Sequence, residues 1–372
     1  MKETKKTVIT GATGHLGYAL VQELLSRDIH PRLLIRKPSD LYKDQDIEFA
    51  YGDVTDFESL LKAFEGADVV YHLAGIIDIE GGMDDKVAEI NVNGTKNVVK
   101  ACQMCHVRRL IFMGSVDTYP ALPGSLEMEE IWYYDPHILE GTYAKTKALA
   151  TQYVLNNTGI DGLETIVLQP SACLGPYDFK ISSIGVLVRM YMGKRMPITM
   201  NFGGYNFVDV RDVAIACANA AEKGRSGECY ILSGEKHTVD EFMKLMAKAA
   251  HRRPLKLKVT KAFCSWIAPL TEFYYEAAGK PALLTPYSVR KICENCNFSH
   301  AKATKELDFN PRPLIDTIKD MMDWIDEHEG PQGLLGVKEK MLHRALKLRY
   351  QSIEPFDRSL LADPGEPEAE GA

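Results

Sequence analysis

Apolar positions in the first half of the chain alternate between two periods. Short apolar runs recur at 6–10 ("KTVIT"), 31–36 ("PRLLIR"), 47–53 ("IEFAYGD"), 67–75 ("ADVVYHLAG"), 108–115 ("RRLIFMGS") and 163–170 ("LETIVLQP"). Their length and β-branched content predict strands. Between them, apolar residues return every three or four positions over 14–27, from Thr55, over 89–105 and from near Tyr143. That spacing predicts amphipathic helices. Thr55 and Glu58 have the spacing of a capping box at the second helix. Strands alternating with helices predict an α/β fold, a parallel sheet covered on both faces.

Beyond Pro170 the pattern loosens. Residues 181–197 read as a helix leading into a loop, 205–223 as a short strand and a helix, and 238–250 as another helix. Residues 262–288 are rich in apolar and aromatic groups, but Pro269, Glu272 and Glu276 interrupt them, so they do not predict a membrane span. We divide the chain at 175. Residues 1–175 form the first domain, and 176–330 are mainly a smaller α/β substrate domain with strands returning to the first sheet. An amphipathic helix is expected over 331–354 and an acidic, disordered tail over 355–372. The basic segment 334–350 either packs on the body or a partner, or lies on a membrane surface.

Composition adds limits. The 372 residues are 45% hydrophobic and 26% charged, with net charge −7. This is globular, and it argues against a broad nucleic-acid surface. The charged lead runs directly into a strand and lacks the features of a signal peptide, so a cytoplasmic protein is expected. Eight cysteines in such a chain predict reduced thiols. The pairs Cys102/Cys105 and Cys293/Cys296 lie too far apart in sequence for a four-thiolate zinc site, and no metal is expected.

The loop "TGATGHLG" (10–17) follows the first strand and opens the first helix, with Gly11, Gly14 and Gly17 spaced G-x-x-G-x-x-G. Such glycines let backbone approach a pyrophosphate at a helix N-terminus, so the sheet is expected to be a Rossmann doubly wound dinucleotide-binding sheet. Thr13, His15 and Leu16 belong to the same loop. Where an acidic residue would hold a ribose hydroxyl, the second strand closes with Arg36 and Lys37. Positive charge there suits a 2′-phosphate and favours NADP(H) over NAD(H), with Asp40 as the rival reading for NAD(H). Asp53 and Val54 close the third strand and Leu73, Ala74 and Gly75 the fourth, both beside the expected cofactor. His72 is given no catalytic role.

Tyr143 and Lys147 in "GTYAKTKA" are four apart, which puts an ammonium beside a phenol on one helix face. With the glycine loop, "YGD", "HLAG", "NVNGT", "MGS" and "YAKTK" in this order, the chain resembles extended short-chain dehydrogenase/reductases over about residues 6–330. It is most similar to dihydroflavonol-reductase-like and 3β-hydroxysteroid-dehydrogenase-like members. The resemblance implies Tyr143 as the proton donor or acceptor, Lys147 on the nicotinamide ribose and lowering the Tyr143 pKa, and Ser115 on the substrate oxygen. It also implies Asn91 ordering the site, Pro170 and Cys173 beside the nicotinamide, and dimerisation through helices flanking the Tyr143 helix.

The expected activity is NADP(H)-dependent interconversion of a secondary alcohol and a ketone. A bulky hydrophobic small molecule such as a 3-oxo or 3β-hydroxysteroid is the expected substrate, given the apolar groups at 181–205 and 262–288. Two alternatives stand beside it. A nucleotide-sugar epimerase would draw on Arg189, Lys194, Arg195, Arg252 and Arg253. An NADP-sensing binding protein would not need the Tyr143–Lys147 pair. Sugar dehydratases resembling this chain carry two adjacent acids after the serine position, and here Val116 leaves only Asp117.

Overall fold

The computed structural model describes residues 6–77, 84–122, 126–277 and 284–333. The basic segment 334–350 and the tail 355–372 lie outside the described residues. The first half runs β1 (Lys6–Thr10), α1 (His15–Ser26), β2 (Arg32–Ile35), β3 (Glu48–Tyr51), α2 (Phe57–Phe64) and β4 (Ala67–His72). It continues through α3 (Asp84–Ala88), α4 (Gly94–Met104), β5 (Arg109–Met113), α5 (Thr142–Asn156) and β6 (Glu164–Pro170). The second half begins with β7 (Ala172–Leu174), α6 (Ser183–Met192), β8 (Ile198–Met200), β9 (Gly204–Asp209), α7 (Val210–Lys223) and β10 (Glu228–Leu232). It ends with β11 (Glu235–Thr238), α8 (Val239–Ala249), β12 (Leu257–Val259), α9 (Lys261–Ala277), α10 (Pro286–Lys291), α11 (Ala301–Leu307) and α12 (Leu314–Gly333).

One seven-stranded sheet, ordered β10-β6-β5-β4-β1-β2-β3, is parallel throughout. Its inner strands read as unbroken apolar runs because helices cover both faces. One face packs Leu20 and Leu24 of α1 and Val213 and Cys217 of α7 on Ile9, Tyr71 and Ile111. The other packs Phe64 of α2, Val98 of α4 and Ala148 and Val154 of α5 on Val70 and Phe112. Strand order reverses between β1 and β4, which opens the crevice at their carboxyl ends where such sheets take ligands.

The remaining elements build a second lobe. β7 and β11 flank β9, and β8 pairs with β12. Tyr191 of α6, Phe242 and Met246 of α8, and Met321 and Ile325 of α12 share a third core. Phe207 stacks on Phe242 with centroids 4.5 Å apart.

Two local expectations change. The second helix is capped by Asp56, which accepts from Ser59 N at 3.3 Å, and not by Thr55. The Thr55 hydroxyl instead donates to Asp53 Oδ1 at 2.9 Å; a carboxylate one residue later outcompetes it. The helix expected over 89–105 opens as a π-turn, Glu89–Asn93, and becomes α-helical only from Gly94. The widened turn surrounds Asn91, whose side chain is committed to the backbone of Ile76, as π-turns often are at ligand sites.

Candidate active site

The glycine loop is tight for steric reasons. Gly11 has φ +77°, and a Cβ there would lie 2.5 Å from Ala74 N. A Cβ on Gly17 would lie 2.2 Å from Gly11 O. The loop therefore sits directly on the end of β4, and Leu73 N donates to Thr10 O at 3.2 Å. The Tyr42 hydroxyl holds it from outside, donating to Ala12 O at 2.6 Å. Gly14 caps α1 without a side-chain hydrogen bond, and the first turn carries no acidic group. Its N–H donors, from His15, Leu16 and Gly17, form the bare positive end that a pyrophosphate needs. This cradle fits a dinucleotide.

Two contacts across the lobes were not visible in the sequence. Lys180 Nζ donates to Thr13 Oγ1 at 3.0 Å, and the His15 ring bonds Pro176 O at 2.8 Å. Both come from the strap after β7, where no periodic pattern signals them.

At the outer end of the crevice, exposed Arg36 lies 3.8 Å from Asp53 Oδ2. Asp53 Oδ1 accepts from Thr55 N at 3.0 Å, so part of this carboxylate is committed to its own turn. Lys37 is exposed, Asp40 opens a short turn to Tyr42, and Val54 is buried, its carbonyl accepting from Asn97 at 3.0 Å. Lys86 of α3 joins this group. Burial lowers its pKa, Arg36 lowers it further, and Asp53 opposes both.

Beneath the crevice His72 is wholly buried between Thr10, at 2.8 Å, and Thr95, at 3.0 Å. Thr95 donates its own proton to Asn91 O, so His72 Nε2 donates to Thr95 and Nδ1 accepts from Thr10. Burial lowers the His72 pKa to about 3, and Lys147 pushes the same way, so the ring is a neutral structural link. Asn91 clips Ile76 through both of its backbone polar groups, at 2.8 and 3.0 Å. A Cβ on Gly75 would lie 3.4 Å from Lys147 Nζ, so this glycine leaves the space above the ammonium open.

α5 brings Tyr143 and Lys147 to the edge of β5. Buried Lys147 donates to Met113 O at 2.8 Å, and burial lowers its pKa to about 8. The Tyr143 phenol neighbours Ser115, whose hydroxyl donates to Asp117 Oδ2 at 3.3 Å and accepts from Asp117 N at 3.1 Å. Burial raises the phenol's pKa, the Asp117 carboxylate raises it further, and the Ser115 hydroxyl opposes them. Pro170 ends β6. The Cys173 thiol lies near Tyr143 and Asp209; burial raises it to about 12.

The substrate side is more polar than expected. Lys291 Nζ, from α10, lies 3.3 Å from Asp117 Oδ1 and 2.8 Å from Glu294 Oε2. Burial lowers the Lys291 pKa, but these two carboxylates outweigh it and the pKa is raised. Tyr205 and Tyr287 adjoin the same charges, and burial raises both phenols. The expected apolar lining is only partly there. Tyr191 and Met192 belong to the third core, while Phe263, Trp266, Phe273 and Tyr274 face outward. Nor do all the arginines considered for a sugar diphosphate converge. Arg189 is buried against Asp178 and Glu329, and Arg252 donates to Tyr191 O and Met192 O.

The sequence profile of the NAD dependent epimerase/dehydratase family matches residues 7–233. Sterol demethylase protein B of Methylococcus capsulatus is 29% identical over 86% of this chain and 98% of its own length. A 3 beta-hydroxysteroid dehydrogenase/Delta 5-->4-isomerase of Mycobacterium tuberculosis is 28% identical over 83% of this chain and 87% of its own. The crystal structure of gox2253 superimposes with a TM-score of 0.76 at 28% identity, over 88% of this chain and 99% of that one. Among the described residues no helix is long and apolar enough to cross a membrane. The chain belongs to the NAD dependent epimerase/dehydratase family and is an NAD(P)-dependent extended short-chain dehydrogenase/reductase.

Proposed function

We propose that the protein interconverts a secondary alcohol and a ketone on a bulky hydrophobic ring system, with a 3-oxo/3β-hydroxysteroid as the leading substrate class and NADP(H) as the preferred cofactor. The observation that carries this is that α5 sets Tyr143 and buried Lys147 one turn apart at the end of β5, where Lys147 donates to Met113 O at 2.8 Å and Ser115 follows the strand, beside the glycine cradle. The similar steroid-directed relatives support the substrate class. In this reading residues 1–175 hold the cofactor, and most of 176–330 shapes the chamber.

The cofactor contacts follow from the cradle. Gly11, Thr13, Gly14, His15, Leu16 and Gly17 hold the pyrophosphate. Asp53 and Val54 border the adenine; Leu73, Ala74, Gly75, Asn91, Pro170 and Cys173 border the nicotinamide half. Arg36 and Lys37 face the 2′-phosphate, and Lys86, lowered partly by Arg36, adds to the positive field there. When bound, the nicotinamide supplies or accepts the hydride. Tyr143 gives its proton to the carbonyl oxygen during reduction, and its raised pKa keeps that proton in place until transfer. Ser115 donates to the same oxygen as charge develops on it. Lys147, one helical turn beyond Tyr143 on α5, orients the ribose and donates to it.

The test follows NADPH absorbance with a 3-oxosteroid panel and a nucleotide-sugar control, repeated with NADH. Steroid-dependent consumption of NADPH, faster than of NADH, is expected. Tyr143→Phe is expected to lower kcat at least about a hundredfold while cofactor titration is unchanged. Undiminished turnover in Tyr143→Phe would remove this residue from the chemistry. Steroid inertness with turnover of the sugar would transfer the site to epimerisation.

A further inference from the structure

α9 carries an apolar face that points away from the protein. Phe263, Trp266, Leu270, Phe273 and Tyr274 are 47%, 69%, 59%, 72% and 68% exposed. Their spacing of three and four places them on one side of the helix. Cys264 and Ala268, on the opposite side, are buried against Val289 of α10. Leu257 of β12, 62% exposed, precedes this stripe in the chain. Single exposed apolar residues are ordinary, but an aromatic stripe of this length marks an interaction surface.

The segment that leads into the stripe is basic, while the far half of α9 carries Glu272 and Glu276 in its sequence. Arg253, Lys256, Lys258 and Lys261 are all exposed, in a chain whose net charge is −7. Lys258 has an acidic partner, Asp240 at 2.8 Å. Two identical copies packed through this face would bring their basic segments together, whereas interface cores are normally depleted of charge. Rings that sit at headgroup depth, bordered by lysine and arginine, instead match the chemistry of an anionic lipid surface.

We propose that the outer face of α9, with β12 and the basic segment before it, docks the protein peripherally on an anionic bilayer. The rings enter the headgroup–acyl boundary, and Arg253, Lys256 and Lys261 meet lipid phosphates. The buried side of α9 rests on α10, whose Lys291 reaches Asp117 beside Tyr143. Docking therefore puts the wall of the catalytic chamber next to the lipid, from which an apolar substrate can enter without crossing bulk water. The docking itself is independent of which substrate is used.

The experiment is sedimentation of the full chain with phosphatidylcholine vesicles, with and without phosphatidylserine, in the absence of substrate. Trp266 emission provides a second signal, because its ring moves to an apolar medium on docking. Binding is expected mainly with phosphatidylserine and is weakened by salt. Lys256→Glu/Lys261→Glu is expected to lower partitioning at least about twentyfold. Trp266→Ser/Phe273→Ser is expected to abolish the binding. Cofactor binding is expected to be unchanged in both, which confirms the fold. If the aromatic variant does not fold, the charge-reversal variant decides the matter. Wild-type protein left in the supernatant with phosphatidylserine, or charge reversal without effect, would overturn the proposal. So would a dimer that the aromatic variant disperses while vesicles bind nothing, which would assign the face to a second copy. Because no substrate is present, these outcomes do not depend on whether steroids are turned over.

Discussion

At the residue scale the site works by holding protons in unusual places. Asp117 raises the Tyr143 pKa, so Asp117→Asn removes a negative charge and lets the phenol ionise more readily. In the oxidation direction of the proposed reaction the phenolate would be the base. The ascending limb of kcat/KM against pH is therefore expected to move to lower pH in Asp117→Asn; a limb that stays in place would show that the carboxylate does not act on Tyr143. His72 makes the opposite kind of demand. Its folded pKa is about 3, well below the ordinary value of 6.5, because burial penalises its charge. Its contribution to stability is complete above pH 6.5. It is lost as pH falls, since the unfolded chain then binds a proton that the folded chain refuses. His72→Gln cannot titrate. Its unfolding free energy is expected to fall less steeply than that of wild type between pH 6.5 and 4, by up to about 1.4 kcal/mol per pH unit. Parallel curves in urea titrations would show that His72 is charged in the folded protein.

At the element scale the glycine loop is a joint between β1, α1 and the end of β4. Gly17→Ala would put a methyl group 2.2 Å from Gly11 O and 2.8 Å from Ala12 Cα, both rigid backbone. It is expected to cost about 1–3 kcal/mol and to weaken NADPH binding at least about tenfold. Gly159 is a useful contrast, with φ +81° and nothing within 4 Å of a Cβ. Gly159→Ala is expected to cost only its backbone strain, about 1–2 kcal/mol, with cofactor titration unchanged. Equal loss of NADPH affinity in both would make the effect global rather than local to the loop. The sequence revealed this joint because glycine spacing records backbone requirements directly. Strand positions were equally legible, since burial on both faces leaves unbroken apolar runs, and Tyr143 and Lys147 share a helix face by arithmetic alone. Lys86, Lys180 and Lys291 were not legible. Each reaches its partner from a distant part of the chain, and no local period encodes that meeting. The aromatic stripe on α9 was visible as composition, but periodicity cannot tell whether an apolar face is covered, and here Phe263, Trp266, Phe273 and Tyr274 are exposed.

At the scale of the whole molecule, ion pairs tie the loops above the cofactor crevice to α12. Arg189, wholly buried, donates to Asp178 Oδ2 at 3.1 Å and pairs with Glu329 Oε1 at 2.6 Å. Asp178 is itself buried and also accepts from Ser182 N at 2.8 Å. The group joins α6 and α12 to the strap that carries Lys180 to the glycine loop. It leaves no room for a larger neighbour, because a Cβ on Gly185 would lie 1.8 Å from Asp178 Oδ2. A buried pair adds little when intact, since desolvation offsets attraction, but losing one partner strands the other charge. Arg189→Ala is expected to destabilise the protein by about 3–5 kcal/mol, measured as a lower urea midpoint. Arg225, exposed and paired with Glu306 at 2.8 Å, is the matched surface case; Arg225→Ala is expected to shift the midpoint far less. Arg189→Ala/Asp178→Asn removes the stranded carboxylate as well, so it is expected to regain part of the loss. A double variant as unstable as Arg189→Ala would show that packing around the guanidinium, not the abandoned charge of Asp178, holds the strap in place.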